Sequence, residues 1–118
     1  MQMRKIRQYT RRTAGILAAG ALLLFAQGAF AQDVTIEITV KGKKFEPSEV
    51  RAPANKAIVL RVKNMDPVSM EFESKSMRVE KVIAANSEAV IRVRPLKAGK
   101  YEFFDEFNEK NRGNLIAE

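Results

Sequence analysis

Val34-Thr35-Ile36-Glu37-Ile38-Thr39-Val40 alternates apolar and polar side chains without a break. Successive side chains of a strand point to opposite faces, so this run predicts a strand with one buried and one wet face. Lys41-Gly42-Lys43-Lys44 reads as a basic turn. Residues 45–50 read as extended, with Pro47 at an edge or corner because proline donates nothing to a ladder. Residues 51–56 form a turn, and Ile58-Val59-Leu60-Arg61-Val62-Lys63 repeats the alternation. Working outward, residues 64–67 read as a turn, 70–73 as a short strand and 79–83 as an extended segment. A turn at Asn86-Ser87 leads to a strand over 89–93 that ends at Pro95. Lys97-Ala98-Gly99 is a tight turn, 101–104 a strand, and 114–117 closes the domain. Short strands separated by turn residues predict an all-β sandwich.

The segment before Val34 has a different character. Arg4, Lys5, Arg7, Arg11 and Arg12 precede an apolar run over 14–26, and Ala29-Phe30-Ala31 follows. This is the order of a secretory signal with an A-x-A cleavage site, and the apolar run is too short to span a bilayer. The expected organisation is a signal peptide over 1–31 and one domain over 32–118, exported to the periplasm. Thr10-Arg11-Arg12 is a poor match to a twin-arginine signal, so the Sec route is preferred and the twin-arginine route stays open. Removing the five leader charges takes the formal net charge from +7 to +2. That balance gives no basis for nucleic-acid binding, and membrane association would come only through a partner.

The chain has no cysteine and no histidine. A type 1 copper centre needs a thiolate and two imidazoles, so it is excluded, and packing without disulfides must hold the domain. Ser-His-Asp and Cys-His catalysis are excluded on the same count, and there is no glycine-rich phosphate loop. Autonomous catalysis is therefore not expected. A ferroxidase-like role would need an electron acceptor on a partner.

Phe45-x-Pro47-x-x-Val50-x-x-Pro53-Ala54, an alternating strand to Asn64, Met70-Glu71-Phe72, and Gly99-x-Tyr101-x-Phe103 together resemble a cupredoxin. The resemblance covers essentially all of residues 32–118 and implies a Greek-key β-sandwich. The run Lys100 to Asn108, followed by Gly113-Asn114-Leu115-Ile116, has the layout of a cupredoxin ligand loop. More narrowly, Glu71-Phe72-Glu73 and the run 101–105 resemble the cupredoxin-like domains of EfeO/Ftr-type periplasmic iron-uptake systems. That likeness implies an accessory protein of ferrous iron uptake, working with an iron permease and a periplasmic iron-binding protein. In copper-binding cupredoxins a histidine falls where Met70 stands, the cysteine at Asp105 and a second histidine near Asn108. The cysteines that EfeO-type domains often carry at the positions of Phe45 and Asp105 are absent as well.

Strand periodicity sorts the remaining donors into two sets. Tyr101, Phe103 and Asp105 point one way, and Glu102, Phe104 and Glu106 the other. Met70 and Phe72 share a face, and Glu71 and Glu73 the opposite one. The pocket inherited from the family would be lined by Met70, Asp105 and Asn108. The first expectation is a hard-metal site for iron from Glu71, Glu73 and Asp105, with Glu106 and Met70 as further candidates. A single compact site joining Met70, Asp105 and Asn108 with Glu71 and Glu73 needs a β-bulge to re-aim a strand. Glu46, beside the absent cysteine position, is a remote further candidate. Against this stands a plain wet strand face, with Glu71 and Glu73 paired to Lys75 or Arg78. Two alternatives remain open. One is a periplasmic Cu(I) protein using Met65, Met70 and Met77, placed behind iron. The other is a metal-free docking module anchored by Phe104 and Phe107, with Asp105, Glu106 and Glu109 as steering charge.

Overall fold

The structure, a computed structural model, describes residues 33–118, so the expected signal peptide lies outside the described residues. Nine strands follow in order: β1 (Val34–Lys41), β2 (Lys44–Glu46), β3 (Glu49–Ala52), β4 (Ile58–Asn64), β5 (Met70–Ser74), β6 (Val79–Ile83), β7 (Ser87–Val93), β8 (Gly99–Asp105) and β9 (Asn108–Ala117). They form two sheets in the orders β2-β1-β4-β7 and β3-β9-β8-β5-β6. The all-β sandwich read from the alternation is the observed architecture. Most pairings are antiparallel. β1 runs parallel to β4 with Val34 opposite Ile58, and β3 runs parallel to β9 with Glu49 opposite Asn114.

Two segments differ from the sequence expectation, each for a local reason. Residues 45–50 are not one extended piece. The chain leaves the first sheet after Glu46, turns at Pro47 and Ser48, and enters the second sheet as β3. Pro47, read as an edge or corner, is that corner. Residues 108–113 are not an open ligand loop but the first part of β9. Asp105 pairs with Asn108 across the two-residue turn Glu106-Phe107, while Phe104 already pairs with Arg112. Glu109, Lys110 and Asn111 are therefore an insertion in one strand, a bulge that bends the hairpin. The bulge turns Asn111 inward, where its Oδ1 accepts the Phe45 N–H at 3.0 Å and ties β9 to β2.

The inward faces supply the core. Ile38, Val40, Ile58, Leu60, Val62, Ile91 and Val93 come from the first sheet, and Met70, Phe72, Phe103 and Leu115 from the second. Three phenylalanines meet across the layers. Phe45 stands edge-on to Phe103 at 4.9 Å between centroids and to Phe72 at 6.0 Å, while Phe72 and Phe103 stack at 5.1 Å. Such pairs add about 0.5–1.5 kcal/mol beyond the area they bury.

Polar side chains fix one end of the sandwich. Asn64 is buried at the end of β4, and its Nδ2 donates to the carbonyls of Val68 at 2.8 Å and Ala84 at 3.1 Å. Its Oδ1 accepts the Asp66 N–H at 3.0 Å. The Asp66 carboxylate accepts the N–H groups of Gly42 at 2.7 Å and Lys43 at 2.8 Å. The β1–β2 turn, with Gly42 and Lys43 both at positive φ, is thus tied to the β4–β5 turn.

Gly113 is required by close packing. A Cβ there would lie 2.5 Å from the Phe103 ring and 2.6 Å from the Ser48 carbonyl oxygen. Neither neighbour can withdraw, because Phe103 is fully buried and Ser48 O accepts the Asn114 N–H at 2.8 Å. Gly113→Ala is expected to destabilise the domain by about 1–3 kcal/mol, the usual range for overpacking. The check is a lower urea midpoint with an unchanged denaturant slope.

Candidate metal site

The alternation of β5 places Glu71 and Glu73 on the outer face of the second sheet, half-buried, while Met70, Phe72 and Ser74 turn into the core. β6 pairs with β5 so that Glu80 lies directly opposite Glu73. On the other flank the Glu106 N–H donates to the Glu71 carbonyl at 2.9 Å, which brings the turn after β8 alongside. One carboxylate oxygen from each of Glu71, Glu73 and Glu80 falls within 4.8 Å of the other two. Like charges opposite each other on a sheet repel. None of these four glutamates makes an ion pair among the described residues, nor do Lys75 or Arg78.

Hydrogen bonding, desolvation and like charge together shift the protonation equilibria. The Glu71 carboxyl is pushed up from 4.5 to about 7. Its leading cause is a hydrogen bond with the Glu80 carboxyl, followed by partial desolvation and the charges of Glu80, Glu73 and Glu106. Glu73 is also raised, first by desolvation and then by Glu80 and Glu106, with Lys75 acting in the opposite sense. Carboxyls shifted by hydrogen bonding, desolvation and like charge mark a candidate functional site.

The remaining candidates lie elsewhere. Met70, Asp105 and Asn108 line one depression of about 310 Å³ together with Asn64, Asp66 and Phe107, as the inherited pocket predicts. Asp105 is buried, and its Oδ1 accepts the N–H groups of Glu71 at 3.0 Å and Phe107 at 2.9 Å. Asp105 therefore faces inward and closes the β8–β9 turn. The bulge falls in β9 beyond it and does not carry it to Glu71 and Glu73, so the expected set of Glu71, Glu73 and Asp105 is not assembled. Glu106 joins the outer set, and Glu80 takes the place foreseen for Asp105. Sequence reasoning misses Glu80 because the alternation in 79–83 gives an extended segment and does not name its partner strand. Folding residues 70–74 and 79–83 as a hairpin about the turn at 75–78 would have set Glu80 against Glu73.

Glu46 pairs with Thr39 in the first sheet and does not join either group. Of the methionines, Met70 and Met77 are buried in the core and Met65 is exposed, and only Met70 lines the depression. Phe104 is covered, with the Arg112 guanidinium 4.9 Å above its ring, whereas Phe107 is 57% exposed.

A raised carboxyl pKa stabilises the folded state at low pH. The contribution of Glu71 is fully present below 4.5 and is lost as pH rises through about 7. Glu71→Gln removes that dependence. Relative to the native protein, the variant is expected to gain stability between pH 5 and pH 8, read from urea midpoints at the two values. An unchanged difference would contradict the carboxyl cluster.

Three comparisons bear on the whole chain. The profile of the cupredoxin-like domain family matches residues 14–117. Uncharacterized protein RP394 of Rickettsia prowazekii (strain Madrid E) is 38% identical over 81 residues, which cover 69% of this chain and 65% of that protein. The chain thus spans about two thirds of that relative's length. Among solved structures, the metal binding domain of the Streptococcus pneumoniae D39 Cu(I) exporting P-type ATPase CopA superposes with a TM-score of 0.67 at 17% identity. That match covers 76% of this chain and 91% of the domain. Auracyanin A, a blue copper protein from Chloroflexus aurantiacus, superposes at 0.64 and 17% identity, covering 74% of this chain and all of that one. At these identities the structural matches speak for the fold alone. The donors of this chain do not fit a blue copper centre: there is no thiolate or imidazole, and Asp105 Oδ1 already accepts two backbone N–H groups. The family match and the two-sheet architecture agree, and the chain belongs to the cupredoxin-like domain family.

Proposed function

We propose that this protein is an exported accessory component of a ferrous iron uptake system, holding a hard divalent cation at Glu71, Glu73 and Glu80 with Glu106 alongside. The observation that carries the reading is the convergence of three carboxylate oxygens within 4.8 Å on one face, with no cation paired to them among the described residues. Oxygen donors favour hard cations, and a cation would replace the proton that the hydrogen bond with Glu80, desolvation and the neighbouring charges hold on Glu71 up to about 7.

The setting favours transfer over storage. The ligands sit on a half-exposed sheet face, so the ion keeps part of its water and leaves readily. Protons compete for the same oxygens, so affinity rises with pH toward about 7 and acid releases the ion. A permease and a periplasmic iron-binding protein are the partners this role calls for. The exposed Phe107, on the turn that carries Glu106, offers an apolar contact beside the ion. The Cu(I) alternative has less support, because Met70 and Met77 are buried in the hydrophobic core while Met65 is exposed.

The test is anaerobic calorimetry with Fe(II), and with Mn(II) as a redox-stable substitute, at pH 5.5 and 7.5. Binding is expected at pH 7.5, weaker at pH 5.5, and reduced by about tenfold or more in Glu71→Gln with Glu80→Gln. Met70→Leu is expected to leave it unchanged. Asp105→Ala is no test of ligation, since it strands two backbone donors and costs about 1–3 kcal/mol of stability. Metal binding that survives the double glutamate substitution would sink the assignment.

A further inference from the structure

The β1–β2 turn and the bulged start of β9 enclose a second depression, of about 500 Å³. Lys43, Lys44, Lys110 and Arg112 line it, and no carboxylate does. Arg112 is engaged, bonded to Glu102 at 2.8 Å and stacked on Phe104. The three lysines take part in no ion pair among the described residues. The nearby Asp66 carboxylate is committed to the backbone of Gly42 and Lys43, which also fixes the shape of the turn.

A second observation is independent of charge. Asn111 also lines this depression and is only 7% exposed. Its Oδ1 accepts the Phe45 N–H, which sets the orientation of the amide. Its Nδ2 is shielded from solvent and meets no acceptor among the described residues. Buried amide donors are nearly always paired, so an unpaired one in the wall of a basic cleft points to an acceptor supplied from outside.

We propose that this cleft binds a small multivalent oxyanion of the carboxylate or phosphate class. The lysines supply the charge, and Asn111 Nδ2 supplies one directed hydrogen bond. Three ammonium groups held around one concavity favour an anion with more than one charge over chloride. The site is separate from the glutamates of β5 and β6, and the proposal does not depend on their binding a metal.

The experiment uses ¹⁵N-labelled protein titrated with sodium phosphate in one arm and citrate in the other, each against sodium chloride of matched ionic strength. Saturable shifts of the Asn111 side-chain amide and of the Lys44 and Lys110 backbone amides are expected, and the tighter arm identifies the source of the anion. Lys44→Gln with Lys110→Gln lies on exposed side chains and is expected to weaken binding by about tenfold without changing the melting temperature. Asn111→Asp keeps the acceptor for Phe45, replaces the unpaired donor with a negative charge and is expected to abolish saturation. Shifts that merely follow ionic strength in both arms, or affinity unaffected by the lysine substitutions, would overturn the proposal.

Discussion

The contact of Phe45 with Phe103 across the two sheets is the constraint on which the rest depends. Phe45 is the one member of the aromatic trio contributed by the first sheet. Phe103 in turn rests against the bare backbone of Gly113, which sets how closely β8 and β9 lie. That hairpin carries Asp105, whose Oδ1 closes the turn and holds the Glu71 N–H. Glu106 therefore arrives beside β5 because the core ring beneath it has one place to be. The same Phe45 receives the side chain of Asn111 on its backbone N–H, so the basic cleft and the acidic face are both referenced to one residue.

The acidic face runs against the trend of the rest of the surface. Five glutamates elsewhere find arginines: Glu37 and Glu88 flank Arg61, Glu49 and Glu118 flank Arg51, and Glu102 meets Arg112. On β5 and β6 Glu73 stands directly opposite Glu80 with Glu71 beside them, and a proton is retained between Glu71 and Glu80. Exposed pairs contribute little to stability, so their absence costs the fold little. Placing repulsion where the backbone is rigid makes the strands a frame that holds the carboxylates together whether or not anything binds.

The sandwich was legible in the sequence because its signal is local. Alternation in 34–40 and 58–63 identifies the half-buried strands without reference to anything distant, and Pro47 marks the corner by its missing N–H. The faces of Glu71, Glu73, Met70 and Asp105 followed from the same period of two, whereas membership of the inherited pocket was implied by the cupredoxin resemblance. What escaped was set by register. Glu80 belongs to the site because five residues of β6 pair with five of β5, and periodicity along one strand does not say which residue of another lies opposite. The bulge at 109–111 escaped for a related reason. Glu-Lys-Asn carries no turn signature, and its effect of sending Asn111 inward exists only once Phe104 and Asp105 have taken their separate partners.

The parallel pairing of β3 with β9 has a consequence for the order of events in folding. Residues 49–52 find their neighbours at 114–117, and the Ala52 carbonyl accepts the Glu118 N–H at 3.0 Å. A strand from early in the domain therefore lacks its partner until β9 is in place. The first sheet's β1–β4 pair spans fewer residues and can form while β3 still lacks its partner. Loop closure over the longer span is slow, and an unpaired strand edge is prone to aggregate meanwhile. The domain should accordingly close late and all at once, with its last strand as the latch.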